Sequence, residues 1–215
     1  MPGEVAEIAL MTDNLGLCDD SAKSASRSPL VDRAKAGDLT AFEELIDCYQ
    51  RKVLSTSWRI LGNREDAYDA TQEVFLRVHK YLQGFRSDQD FAGWLYRIVV
   101  NVCRDHIRKR GTRPVTSFES ERDAGTLETL ASNEDVEANA IRTQQRELIN
   151  EALGTLSPKE RTALVLRDLD GLSTEEVARI LGSSPATVRT QISSARAKIK
   201  QYRDRVLKNA ARKRK

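Results

Sequence analysis

What this 215-residue chain has little of narrows its class before any motif is considered. Proline (5) and glycine (11) are scarce, and alternating β-branched stretches are hard to find, which argues against a sheet. The three cysteines, Cys18, Cys48 and Cys103, are odd in number, far apart and never in a C-x-x-C pair. That pattern argues against a disulfide framework or a structural zinc site and fits a reducing cytosol. No run approaches the roughly 20 apolar residues of a membrane span. The apolar run IALM near the N-terminus is too short for a secretory signal. Histidine occurs only as His79 and His106. With no Gly-rich phosphate loop and no paired metal-binding carboxylates, an enzyme acting on nucleic acid has little to work with. Cys103 and His106 stand three apart, but without a further ligand cluster a buried structural cysteine is the simpler reading.

What is present is charge and helical periodicity. Charged residues make up 31% of the chain and hydrophobic ones 40%, which suits small helical domains with wide solvated faces. The formal charge of +3 is modest, but its layout is uneven. Residues 196–215 hold ten Lys and Arg against one acid; residues 117–137 hold seven acids against one Arg. Such a layout points to a basic nucleic-acid surface and an acidic connector.

Along the chain, residues 1–27 are polar and aperiodic, the composition of a disordered tail. Residues 28–110 carry helical stripes punctuated by Gly37 and Gly62-Asn63, a compact bundle of about four helices. Residues 111–136 lack sustained periodicity and read as a linker. A second helical unit covers 137–207, and a basic tail, 208–215, ends in ARKRK, either a nonspecific phosphate binder or a solvated end. Within the second unit, Ser157-Pro158-Lys159-Glu160 and Ser173-Thr174-Glu175-Glu176 are capping boxes. The first opens a helix expected to run to Leu169 and stop at Gly171.

Three segments carry functional patterns. In FAGWLYRIVVNVCRDHIRKR, Phe91, Leu95, Ile98, Val99 and Val102 form a face that can bury, while Trp94, Arg97, Asn101, Arg104 and Arg108 line another. On the preceding helix, Asp69, Gln72, Glu73 and Leu76 share a face at i, i+3, i+4 and i+7. In LSTEEVARILGSSPATVRTQISSARAKI, a short helix, a turn at Gly182 and a longer helix give a helix-turn-helix layout. Ala178 permits a close crossing, and Val188 and Ile192 pin the second helix. Its solvent side offers Thr187, Arg189, Thr190, Ser193 and Ser194, with Arg196 and Lys200 behind, and such a helix meets the major groove with its N-terminal residues. Taken alone, these residues also suit a repressor that binds duplex DNA without other partners.

Together, DATQEVFLRVHKYL, FAGWLYRIVVNVCRDHIRKR, LSPKERTALVLRDLDGLSTEEVA and TVRTQISSARAKI resemble, in order and spacing, an extracytoplasmic-function sigma factor of the sigma-70 family. The resemblance implies an all-α chain of two helical domains, sigma-2 and sigma-4, with no catalysis, cofactor or metal of its own. It implies an alternative factor, of a stress or envelope response, that works in the cytoplasm. Its partners are RNA polymerase core (clamp helices of the largest subunit, and flap), promoter DNA and an anti-sigma factor, with no membrane insertion. By the same resemblance, Asp69, Gln72, Glu73 and Leu76 dock on the polymerase. The loop from Phe85 to Asp90, with Trp94, Arg97, Asn101, Arg104 and Arg108, meets flipped bases and phosphates of the −10 element. Trp94 and Tyr96 can stack on a base or belong to the core. Thr187, Arg189, Thr190, Ser193, Ser194 and Arg196 face the −35 element. Many relatives carry Arg or an aromatic where this chain has Gln191, Ser193 and Ser194, so −35 readout here leans on Arg189, Thr190 and hydroxyls.

Overall fold

The structure, a computed structural model, describes residues 29–86, 90–112 and 148–213; the N-terminal tail with Cys18, and the linker with Ile141, lie outside the described residues. The described residues are helical and contain no strand. Four helices form the first unit: α1 (residues 29–35), α2 (Leu39–Leu61), α3 (Arg64–Tyr81) and α4 (Phe91–Thr112). The second unit holds α5 (residues 148–154), α6 (Pro158–Leu164), α7 (Thr174–Leu181) and α8 (Pro185–Lys213).

Local chemistry sets most boundaries. Asp38 caps α2 by accepting from Ala41 N at 3.1 Å and pairs with Arg33 of α1 at 2.6 Å. Gly62 ends α2 at φ 74°, its N–H returning to Trp58 O, and Asn63 then caps α3 through Asp66 N at 2.9 Å. Asp90 caps α4, accepting from the amides of Ala92 and Gly93. Both expected capping boxes form, Ser157 with Glu160 and Ser173 with Glu176.

Three boundaries differ from expectation. The helix after Ser157 does not run uniformly to Leu169: α6 stops at Leu164 and a π turn, Val165–Leu169, follows, with Asp170 N bonded to Val165 O at 2.9 Å. The wider turn accommodates one extra residue, an arrangement with no local sequence signature. The end of α3 tightens into a 3-10 turn, Leu82–Gly84. Finally, α8 continues past Leu207 to Lys213, through residues free of Gly and Pro.

In the first unit Leu45, Val53, Val74, Val78, Val99 and Val102 are buried between α2, α3 and α4. In the second, Leu153, Leu164, Leu166, Val177, Val188 and Ile192 do the same. Each such side chain contributes roughly 1.5–3 kcal/mol when fully buried. The two apolar sets merge into one cluster, because α2 meets α6 and the π turn, and α4 meets α7. No described helix is long and apolar enough to cross a membrane.

Candidate nucleic-acid and polymerase interfaces

The exposed stripe of α4 exists because its opposite face is consumed by the core. Leu95, Val99, Val100, Val102 and Cys103 are at most 4% exposed, and burial pushes the Cys103 thiol up to about 12, which keeps it an inert neutral group. Arg97, Asn101, Arg104 and Arg108 are left outside. Trp94 sits half-buried at the head of this row, in contact with Phe85 (ring centroids 5.0 Å) and Phe91 (5.6 Å). Phe85 itself is 5% exposed and packs edge-on against Phe91, so its ring presents no face to a nucleic-acid strand. Tyr96 is buried as well, beneath the ammonium of Lys52. The aromatic cluster thus anchors the chain before α4, and Trp94 is its partly open member.

The cations of this stripe are not idle. Arg97 donates to Arg179 O at 3.3 Å, Arg104 donates to Leu181 O at 3.5 Å, and Arg108 pairs with Asp105 at 3.1 Å. The first two acceptors are carbonyls of the last turn of α7, where the helix dipole is negative.

On α3, Asp69, Gln72 and Leu76 are exposed, Leu76 at 71%. Glu73 differs: it is half-buried and accepts from Arg77, which also holds Asp105 at 3.0 Å, while His106 Nε2 stands 3.5 Å away. Three residues of the expected face are therefore open, and the fourth is held by Arg77 of the same helix.

In the second unit, Gly182 turns the chain at φ 62° after α7, and Ser184 caps α8 by accepting from Thr187 N at 3.1 Å. Ala178, Val188 and Ile192 are buried at the crossing, as the helix-turn-helix pattern requires. Thr187, Arg189, Thr190, Ser193 and Arg196 are exposed. Arg189 makes only a loose surface pair with Glu175 at 3.3 Å, worth little in water. Ser194 turns inward instead and donates to Glu160 Oε1 at 2.6 Å. Arg196 is held by both oxygens of Asp168, at 2.7 and 2.9 Å.

Two positioning groups thus escaped sequence reasoning. Glu160 was legible as a capping-box residue, but the same carboxylate also accepts from Ser194 and Lys198, tying α8 to α6. Hydrogen bonds from Lys198 above all, then Ser194 and Ser157, hold its carboxyl down at about 2. Asp168, in the π turn, has no local signature. Among the described residues no group of three or more His, Cys, Asp or Glu could hold a metal ion. The arrangement offers cations, an amide, hydroxyls and a part-exposed indole, the groups that bind strands and grooves.

Comparison with known proteins follows the two units. Residues 45–113 match sigma-70 region 2, and residues 146–199 match sigma-70 region 4. The RNA polymerase sigma-H factor of Pseudomonas aeruginosa is 34% identical over 184 residues, covering 84% of this chain and 95% of that protein. The ECF RNA polymerase sigma-E factor of Escherichia coli K12 is 35% identical over 176 residues, covering 79% and 90%. Among solved structures, CnrH in complex with the cytosolic domain of CnrY superposes with a TM-score of 0.60 at 27% identity, covering 82% of this chain and 96% of that one. The sigma factor RpoE of Bartonella quintana, solved with the anti-sigma factor NepR, shares the fold with a TM-score of 0.54 at 20% identity, covering 74% and 94%.

Proposed function

The chain belongs to the extracytoplasmic-function sigma factors of the sigma-70 family, and on that footing we propose which of its residues do which part of the work. A sigma factor binds core RNA polymerase and recognises the −10 and −35 promoter elements; it is an initiation factor, not an enzyme. We take residues 28–110 as the sigma-2 unit and 137–207 as the sigma-4 unit, with 1–27, 111–136 and 208–215 as tail, linker and basic end.

In this reading Asp69, Gln72 and Leu76 form the open part of the polymerase face on α3, and Arg77 presents Glu73 beside them. An exposed leucine ringed by polar groups suits an interface better than open water. On α4, Arg97, Arg104 and Arg108 neutralise phosphates, Asn101 hydrogen-bonds an unpaired base, and Trp94 stacks with its open part. Phe85 supports that pocket from within. On α8, Arg189 reads a base edge, Thr187, Thr190 and Ser193 supplement it, and Asp168 fixes Arg196 against the duplex backbone. Ser194 serves the fold through Glu160.

The observation that carries the reading is the α4 stripe. One face is fully consumed by the core, and the other sets a half-buried indole, an exposed amide and three exposed guanidinium groups in a single row. We place the protein's work in the cytoplasm with the polymerase. A proteinaceous regulator is part of the proposal, in keeping with the CnrH structure, whose partner is the cytosolic domain of CnrY. The test is run-off transcription with core polymerase over a randomised promoter library. Enrichment of a paired −35 and −10 consensus is the expected result. Binding of a duplex palindrome without polymerase is the result that overturns it.

A further inference from the structure

Three cations of α8 each meet a carboxylate from a different element. Arg189 lies 3.3 Å from Glu175, in the first turn of α7. Arg196 gives Nε and Nη2 to the two oxygens of Asp168 in the π turn, at 2.9 and 2.7 Å. Lys198 donates to both oxygens of Glu160 in α6, at 2.9 and 2.8 Å. The acids differ in burial. The side chains of Asp168 and Glu160 are 7% and 11% exposed, whereas that of Glu175 is 62% exposed. On the α4 stripe, by contrast, Arg97 and Arg104 bond backbone carbonyls, which carry no formal charge.

We propose that Glu175, Asp168 and Glu160 are internal counterions of the −35 face, and that Glu175 is the residue that sets how strongly this face holds DNA. The inference rests on the assignment of α8 as the −35 reader given above. A cation that replaces a counterion condensed on duplex DNA makes log affinity fall against log salt with a slope of about −0.9 per phosphate. A cation that brings its own carboxylate delivers no net charge, so it releases no counterion. The −35 face therefore reads by hydrogen bonds while its electrostatic grip is weak. Asp168 and Glu160 also serve the fold, one fixing Arg196 to the π turn and the other capping α6. Glu175 does neither. The capping box of α7 uses Glu176, and the Arg189 pair is exposed at both ends. The charge of Glu175 can thus be removed with the fold intact. Its effect belongs to the bound state, because it lies against the side chain that enters the groove, inside the Debye length of about 8 Å at physiological salt. Phosphates carry no sequence information, so the effect is the same on every −35 sequence.

The test reconstitutes holoenzyme from core polymerase and either the parent chain or Glu175→Gln. Each is titrated onto fragments carrying the preferred −35 element or single substitutions in it, over a series of salt concentrations. The variant should bind every fragment about fivefold tighter at ~0.15 M salt, with a slope steeper by about 0.9, and the gain should vanish toward ~1 M. Asp47→Asn, an exposed acid of α2 outside this face, is the net-charge control and should change neither affinity nor slope. An unchanged slope for Glu175→Gln overturns the inference. So does an equal gain for Asp47→Asn, and so does a change confined to one base pair, which would make Glu175 a base reader. Arg189→Ala is run in parallel. If it leaves every fragment untouched, the assignment of α8 as reader fails. If it acts and Glu175→Gln does not, that assignment stands and the counterion inference alone falls.

Discussion

Asp170 Oδ2 accepts a hydrogen bond from Thr56 Oγ1 at 2.8 Å although 114 residues separate them in the chain. Burial pushes this carboxyl up to about 6 from an ordinary 3.8, against the opposing pull of Arg59 and Thr56. A group whose value is raised in the folded form binds its proton more tightly there. Protonation thus adds stability that is fully present below about 3.8 and is lost as pH rises through about 6. Thermal melting of the parent against Asp170→Asn, which has no proton to bind, should therefore show the parent gaining stability relative to the variant as pH falls from about 7.5 to about 5. A parent whose melting tracks the variant's across this window would contradict the account.

Replacing Asn101 and Arg104 together by alanine should impair promoter melting more than closed-complex formation, because both lie in the row suited to unpaired bases and phosphates. Both are exposed, and Arg104 makes only a 3.5 Å bond to a backbone carbonyl, so the fold should survive. Permanganate reactivity of the melted region is the measurement. Melting equal to the parent's is the outcome that refutes the assignment.

Asp69→Ala with Gln72→Ala should weaken binding to core polymerase without changing helicity, since both side chains are exposed on the face of Leu76. Arg77→Met should weaken it as well, because Glu73 would lose the guanidinium that orients it. Competition for core gives the dissociation constants. Unchanged constants for the double variant would remove this face from the interface.

Arg189→Ala should cost about 1–3 kcal/mol on promoters with the preferred −35 base pair and less where that pair is altered. The loss of the loose pair with Glu175 should contribute next to nothing. Transcription from a panel of single −35 substitutions measures the effect. A uniform loss across the panel, with a shallower salt dependence, would make Arg189 a phosphate contact only.

Glu160→Ala should destabilise the second unit by about 1 kcal/mol through the lost cap alone. Its additional links to Ser194 and Lys198 should raise the cost and loosen α8. Because its carboxyl is held at about 2, its contribution is complete above an ordinary 4.5 and fades as pH falls from there toward 2. Thermal melting of the parent and variant over that range should converge at the acid end. Curves that stay parallel would rule out this role.

Caps and stripes were legible in the sequence because they are local: Ser157 meets Glu160 and Ser173 meets Glu176 three residues on, and the buried face of α4 repeats at helical spacing. The crossing of α7 and α8 was equally legible, since Ala178, Gly182, Val188 and Ile192 fall in one short register. What was hidden depends on partners distant in sequence. Ser194 looks solvent-facing until Glu160, 34 residues earlier, is placed beneath it. Phe85 looks available to a base until Phe91 and Trp94 close over it. The α4 row was visible as a set of residues, but its engagement by the end of α7 needed the packing of two separate units.

The contact between α4 and α7 joins parts of one chain, and its equilibrium is therefore unimolecular. Diluting or concentrating the protein leaves that contact unchanged. A tethered partner presents an effective concentration on the order of millimolar. A separate molecule that bonds the guanidinium groups of Arg97 and Arg104 competes at that figure against the carbonyls of Arg179 and Leu181.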